Sequence, residues 1–256
     1  MCYFNSLVAP KGATVSLAGS NKTLDPVNKP LQSGFSYSNW PIIKGSAQNF
    51  TIENAHWELI APWVKTSQEV QAGREKFNTL NATAERLLES KLLKPAALNN
   101  RWLVLSSGFY EWRHYKPAGA KKEIAYPYFI SLKEQPLFYM AGIYQPWTDK
   151  ETGETMDTFS IVTTKANAFM EQIHNKKKRM PTILNATQAV EWLAPNLSEN
   201  KIMELATSSI DANQLSAYTI HKNFRTDTNP LQSFEYEELP QLNSIWLFIL
   251  QKNIYI

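Results

Sequence analysis

The sequence predicts an α+β protein with an antiparallel, barrel-like β core and flanking helices, folded as one domain. Three observations lead there. Strand-like segments fill the stretch from about 56 to 163, helical ones cluster after it, and the two kinds do not strictly alternate. The 256 residues show no internal repeat, low-complexity tract or linker, and a hydrophobic share of 43% is enough for a large core.

The elements follow in order. Residues 11–45, rich in Gly, Ser, Asn and Pro, read as a long ordered meander over the surface, with Trp40 and Pro41 leading into Ile42 and Ile43. His56 to Ile60 reads as a strand that ends at Pro62 and Trp63. Ala82 to Leu93 reads as the first helix, because Leu87, Leu88 and Leu92 make a partial apolar stripe, Asn81 is a suitable cap and Pro95 a stop. Trp102 to Leu105 and Phe109 to Arg113 read as strands joined at Ser106, Ser107 and Gly108; the period of two puts Phe109, Glu111 and Arg113 on one face, Tyr110 and Trp112 on the other. Tyr128 to Leu132, Leu137 to Tyr144 and Thr158 to Thr163 are further strands, the last two separated by turn residues Thr148 to Gly153. Helices are expected over Ala166 to Ile173, Ala186 to Leu193 and Glu199 to Ala206, and a final strand around Tyr218.

Composition narrows the function classes. No stretch approaches the roughly 20 apolar residues of a membrane span; the longest apolar run is Ile245 to Leu250. No secretory pattern follows Met1, so a cytoplasmic location is expected. One cysteine permits neither an internal disulfide nor a Cys-rich zinc site, and no metal or cofactor is expected. A net charge of +3 is compatible with a polyanionic partner without indicating one. Basic residues do cluster, in Lys176, Lys177, Lys178 and Arg179 and in the smaller pair Lys121 and Lys122.

That single thiol, Cys2, is the first candidate for chemistry. Methionine is usually trimmed before so small a residue, which would leave Cys2 with a free amine and a thiol on adjacent carbons. An α-amine titrates near 7.7 to 8.0 against about 10.4 for lysine, so far more of it is neutral and nucleophilic at pH 7. Such an amine condenses with an aldehyde to an imine, and the tethered thiol can then close a five-membered thiazolidine ring. Cys2 could equally be a small buried hydrophobe, or the nucleophile of an amidohydrolase.

Glu111, between Tyr110 and Trp112, is the second candidate, since partial desolvation there would raise its pKa and suit it to proton transfer. The alternative is a solvent-facing residue paired with Arg113. His174 is the third: at the carboxyl end of a helix, the dipole would favour its protonated form. It could also be a plain helix-terminating residue. The cations that follow it form either a solvated face or a phosphate-binding one. Trp57, Trp102, Trp112 and Trp147 are expected in the core, whereas Trp40 and Trp63 are candidates to stack on unpaired bases.

Taken together, the segments resemble the SRAP family (SOS response-associated peptidases, or abasic site processing proteins). The likeness rests on Met1-Cys2, the run His56 to Trp63, Asn81-Ala82-Thr83-Ala84-Glu85, Ser107 to Trp112, Met140 to Tyr144, and Ile161 to Thr164 leading to Ile173-His174 and Arg179-Met180-Pro181. It covers a domain over residues 2–230 and leaves 231–256 as a C-terminal extension of unknown role. The resemblance implies a monomer that binds single-stranded DNA containing abasic sites, nucleoid-associated when bound, in the DNA damage response. Cys2 would form a thiazolidine crosslink with the open sugar's aldehyde and so protect the lesion. Glu111 would position and deprotonate the amine, His174 would protonate the sugar for ring opening, and Asn81 would orient site and sugar. Removal of Met1 would be self-catalysed, hence "peptidase", and an imine intermediate would permit weak lyase activity. Trp40, Trp63 and Lys176 to Arg179 would contact the DNA. Two departures stand out: Thr83 occupies a position that the family commonly gives to arginine, and Tyr3-Phe4 replaces the usual Gly-Arg after the cysteine. Noncovalent single-strand binding and an external peptidase activity remain the alternatives.

Overall fold

Alternating side chains and tight turns build most of the chain into strands. The computed structural model describes residues 2–243, so the apolar run from Ile245 to Ile256, expected as an extra strand, a cover or an aggregation-prone end, lies outside the described residues. The first half comprises β1 (Phe4–Ala9), β2 (Thr14–Leu17), β3 (Ser20–Thr23), β4 (Val27–Ser33), β5 (Asn39–Ser46), β6 (Asn49–Trp57), α1 (Ser67–Arg74), β7 (Asn81–Thr83) and α2 (Leu93–Asn99). Next come β8 (Arg101–Ser106), β9 (Gly108–Tyr115), β10 (Ile124–Leu132), β11 (Phe138–Thr148) and β12 (Thr155–Lys165). The last third holds α3 (Met170–Ile173), β13 (Arg179–Pro181), β14 (Ile183–Leu184), α4 (Ala186–Trp192), α5 (Glu199–Ala206) and β15 (Leu215–Thr219).

Five of these strands close a ring. β12 pairs with β6, β6 with β5, β5 with β8, β8 with β11, and β11 returns to β12. Every pairing in the ring is antiparallel except β12 with β6. Closure removes the exposed edges that an open sheet would offer to other chains. β8 is buried along its whole length, and Trp40, Trp57 and Phe159 pack with ring centroids 6.2 and 6.3 Å apart in succession. The indole nitrogens of both tryptophans find a carbonyl: Trp40 donates to Leu105 at 2.8 Å and Trp57 to Leu80 at 3.0 Å. A second sheet, in the order β15-β10-β9-β1-β4, is antiparallel throughout.

The corner between β8 and β9 joins the two sheets. The strands on either side of Ser106-Ser107-Gly108 form as expected, yet they do not pair with each other: β8 lies in the ring and β9 in the second sheet. Ser106 Oγ donates to Asn5 Oδ1 at 2.7 Å, and Ser107 N donates to the Ser6 carbonyl at 2.8 Å, which ties β1 to the corner. Glycine is required at 108, because a β carbon there would sit inside the Phe129 ring and 2.8 Å from the Ile130 carbonyl oxygen. Gly108→Ala is therefore expected to cost at least about 1 to 3 kcal/mol by overpacking, read as a lower urea midpoint at unchanged slope. A midpoint equal to that of the wild type would show that the corner yields freely.

Some expectations need correction. The helix expected over Ala82 to Leu93 is absent: this segment opens as β7, which adds in parallel to β12, and continues in a single 3₁₀ turn from Ala84 to Arg86. A sheet edge offering hydrogen bonds outweighs a partial leucine stripe. The helix forms later, as α2, with Pro95 inside its first turn, where a missing N–H costs nothing. Residues 11–45 carry strands β2 to β4 and the start of β5 rather than a bare meander, and the strand expected over His56 to Ile60 is the end of β6. Of the helix expected over Ala166 to Ile173, one turn survives. α4 and α5 match the expected ranges, and their first turns are capped by Asn185 and Ser198, which the sequence reading did not single out. Trp57, Trp102 and Trp147 are core, while Trp112 is only partly buried. Among the described residues no helix is long and apolar enough to cross a membrane.

Candidate active site

β9 carries Glu111 inward. The side chain is 3% exposed, so it is neither solvent-facing nor paired with Arg113, whose guanidinium donates instead to the Pro240 carbonyl. Burial pushes the Glu111 carboxyl up to about 7. A carboxyl titrating there can both accept and return a proton at neutral pH.

β1 runs antiparallel to β9, with Asn5 opposite Phe109, so its amino end heads towards Glu111. Cys2 at that end is fully buried, and its thiol donates to the Phe4 carbonyl at 3.8 Å. Burial first, and the Glu111 charge second, push the thiol well above its ordinary pKa. It is consequently a thiol rather than a thiolate at neutral pH.

His174 completes the cluster. Its Nδ1–H donates to the Arg179 carbonyl at 2.7 Å, which leaves Nε2 as the lone-pair nitrogen, 3.6 Å from Glu111 Oε2. That gap is too long for a hydrogen bond and short enough for a proton to cross after a small shift. Burial pulls the imidazole down to about 4, so it is neutral at pH 7. The expectation of a dipole-stabilised imidazolium is thus corrected: α3 is a single turn, and desolvation outweighs it. At neutral pH the imidazole is therefore neutral, and the carboxyl opposite it is present in both protonation states.

Asn175, which the sequence reading passed over, fixes the separation. Its Oδ1 accepts from the His114 backbone N–H at 3.0 Å and its Nδ2 donates to the His114 carbonyl at 2.7 Å, clamping the turn after α3 onto β9. Asn5 was also missed; its Oδ1 accepts from Ser106 Oγ and from the Ser6 N–H, while its Nδ2 is buried with no partner among the described residues. The signal for Asn175 was an amide side chain directly after His174. Nothing local marked Asn5.

Cys2, Glu111 and His174 are therefore brought together, whereas Asn81 lies on β7, opposite Ile161 of β12. β7 sets Thr83 opposite Thr163, and Thr163 faces Pro181 of β13 on its other side. Arg179, whose carbonyl holds His174, donates to Glu85 at 2.9 Å and also to the Thr163 carbonyl. Both amide atoms of Asn81 are buried and have no partner among the described residues, so its hydrogen-bonding capacity is unspent.

The surface residues divide. Trp40 is fully buried, which corrects its expected role as a base-stacking platform; Trp63 is 56% exposed and open to stacking. The basic run is not one patch. Lys176 pairs with Glu123 at 2.6 Å, Lys178 lies 3.9 Å from Glu171, and Arg179 turns inward to Glu85. Lys177 is exposed, makes no ion pair with a described residue, and its charge reaches both Glu111 and His174. Among the described residues no group of three or more His, Cys, Asp and Glu side chains is placed to hold a metal ion.

Comparison with known proteins adds to this geometry. The family model described as SOS response associated peptidase (SRAP) matches residues 14–226. An abasic site processing protein of Bacillus subtilis, YoqW, is 32% identical over 178 residues, covering 70% of this chain and 73% of that protein. HMCES of Gallus gallus, of the same description, is 31% identical over 154 residues, covering 54% of this chain and 43% of that protein. A crystal structure of a Bacteroides thetaiotaomicron protein superposes with a TM-score of 0.75 at 32% identity, covering 91% of this chain and all of that one.

Proposed function

The chain belongs to the SRAP family, and from that premise we propose that it captures abasic sites in single-stranded DNA through a covalent link at Cys2. The observation that supports this most is the convergence of Cys2, Glu111 and His174 in one buried cluster at the amino end. Removal of Met1 is the first requirement.

Chemistry then proceeds at the freed amine. Glu111, as carboxylate, takes the proton of the ammonium form, a role suited to a carboxyl that titrates near 7. The sugar hemiacetal opens as His174 Nε2 exchanges a proton with it, the imidazole having received its proton from Glu111 or the substrate rather than holding one at rest. The amine adds to the aldehyde carbon. The carbinolamine loses its hydroxyl as water, with a proton from Glu111, and becomes an imine. Cys2 Sγ adds to the imine carbon, and its proton passes to the nitrogen. Amine, aldehyde and thiol thus yield a thiazolidine and one water. While the imine persists, loss of a proton beside it can cleave the strand, which accounts for weak lyase activity; ring closure ends that exposure.

The cluster fits the alternatives less well. An external peptidase needs a thiolate, and burial holds this thiol protonated. A purely noncovalent binder would use Trp63 and Lys177 but leaves the buried acid and imidazole without a task. The test is incubation with a single-stranded oligonucleotide carrying one abasic site, followed by heating and denaturing electrophoresis. A shifted band, absent with the undamaged strand, is expected. Salt-sensitive binding with no such band would replace the proposal by noncovalent binding.

A further inference from the structure

Beyond β15 the chain turns back and crosses the second sheet. Ser233 bridges to Ile220, and Phe234 N donates to the Thr219 carbonyl at 2.8 Å. Tyr236 then packs on Tyr126 of β10, ring centroids 4.9 Å apart, with the Lys222 ammonium 4.9 and 5.2 Å from the Tyr126 and Tyr236 rings. Tyr126 Oη donates to Glu238 at 2.9 Å, Arg113 of β9 donates to the Pro240 carbonyl, and Asn243 meets Gln172 of α3. The segment thus visits β15, β10, β9 and α3 in turn. Arg113 lies opposite Tyr126 in the β9–β10 register, two positions from the Glu111–Tyr128 pair, so this strap runs over the sheet face that carries Glu111.

α3 has four residues, too few to hold a helix by its own hydrogen bonds, so its place is set by what grips it. Two amide side chains flank His174 and use one device. Asn175 satisfies both backbone groups of His114, and Gln172 both those of Asn243, accepting from its N–H at 2.7 Å and donating to its carbonyl at 3.2 Å. One clamp is anchored on β9, the other on the strap. Met170 and Ile173 seat the turn on the core, but apolar contact is non-directional, whereas a two-point hydrogen bond fixes orientation.

We infer that Gln172 is a positioning residue for His174, and that residues 236–243 form the strap that sets the imidazole against Glu111. This rests on the abasic-site reading above, and it gives a segment beyond the family match over residues 14–226 a task at that site. The strap holds both carriers of the acid–base pair, β9 at Arg113 and α3 at Gln172, each two residues from the side chain it places.

The test cuts the link from both ends in the full-length chain. Gln172→Met keeps the bulk and loses both hydrogen bonds; Asn243→Pro removes the N–H that Gln172 accepts. Each should slow single-turnover adduct formation at saturating abasic oligonucleotide by on the order of tenfold to a hundredfold, as a misplaced reacting group does, while affinity for a strand with a tetrahydrofuran abasic analogue, which has no aldehyde, stays at the wild-type value. The double variant should be no slower than the slower single one, because both changes cut one link. By NMR, the His174 titration midpoint should rise from near 4 towards the ordinary 6.5 in both variants, as the loosened imidazole gains water. Wild-type rate and titration in both single variants overturn the strap, as does a lower melting temperature with rate and titration unmoved, or a double variant whose losses multiply. Position 243 is exposed, so Asn243→Pro carries the test should Gln172→Met fail to fold. A wild-type chain that forms no adduct refutes the trap, and the titration then still decides the strap; one that forms it with unmoved variants refutes the strap alone.

Discussion

Cys2→Ala is expected to abolish the heat-stable adduct with abasic DNA while leaving an imine that borohydride can trap. Alanine at position 2 is small enough for general methionine trimming, and an intact mass lacking Met1 establishes that the variant keeps a free amine at position 2 and has lost only the thiol. Ring closure is what makes the adduct durable. A thiol tethered four bonds from the imine carbon, where closure makes a five-membered ring, acts at an effective concentration on the order of 10⁵ to 10⁸ M, whereas free imines hydrolyse readily. Loss of the stable band should therefore be nearly complete, and reduction during the reaction should restore a band in the variant. An undiminished heat-stable band from Cys2→Ala would remove the thiol from the chemistry, and failure of borohydride to trap anything would remove the amine.

Glu111→Gln carries the second large effect. Deleting a positioned acid–base group costs about 10²- to 10⁴-fold in rate. The pH dependence carries more information. Only the carboxylate form can take the ammonium proton, and burial sets its titration near 7, so the wild-type single-turnover rate should climb as pH rises through about 7. In the glutamine variant that limb should vanish. Stability moves the other way. A carboxyl raised from its ordinary 4.5 to about 7 contributes stability that is fully present below about 4.5 and lost as pH rises through 7. Glu111→Gln removes a buried charge at pH 8 and should melt higher than the wild type there, with a smaller difference at pH 5. A variant both slow and less stable at pH 8 would mean that the carboxylate is structural.

How much was legible in the sequence depended on whether the deciding forces were local. α4 and α5 formed within one residue of their expected bounds because local forces set them: the Asn185 and Ser198 side chains accept from backbone N–H groups of their first turns. The turn from β8 to β9 was readable for the same reason, although not that its two strands part into different sheets, which is a long-range choice. The segment after Asn81 misled because the edge of β12 recruits it as β7, and no pattern within 82–93 records that edge. At the site, Cys2, Glu111 and His174 stood out by residue type and neighbours, and they do converge. The protonation of His174 was not readable, since it depends on burial and on the Arg179 carbonyl brought round by the following turn. Trp40 shows the same limit: an indole beside a proline looks available until the ring of strands closes over it.

Intact and fragment mass spectrometry of the adduct tests the central claim most directly. After reaction with an abasic oligonucleotide, the predicted mass is that of the chain without Met1 plus that of the oligonucleotide, less one water, with the DNA remnant located on Cys2. An adduct on a lysine, an adduct on a chain that still carries Met1, or a sum of masses with no water lost would each contradict it.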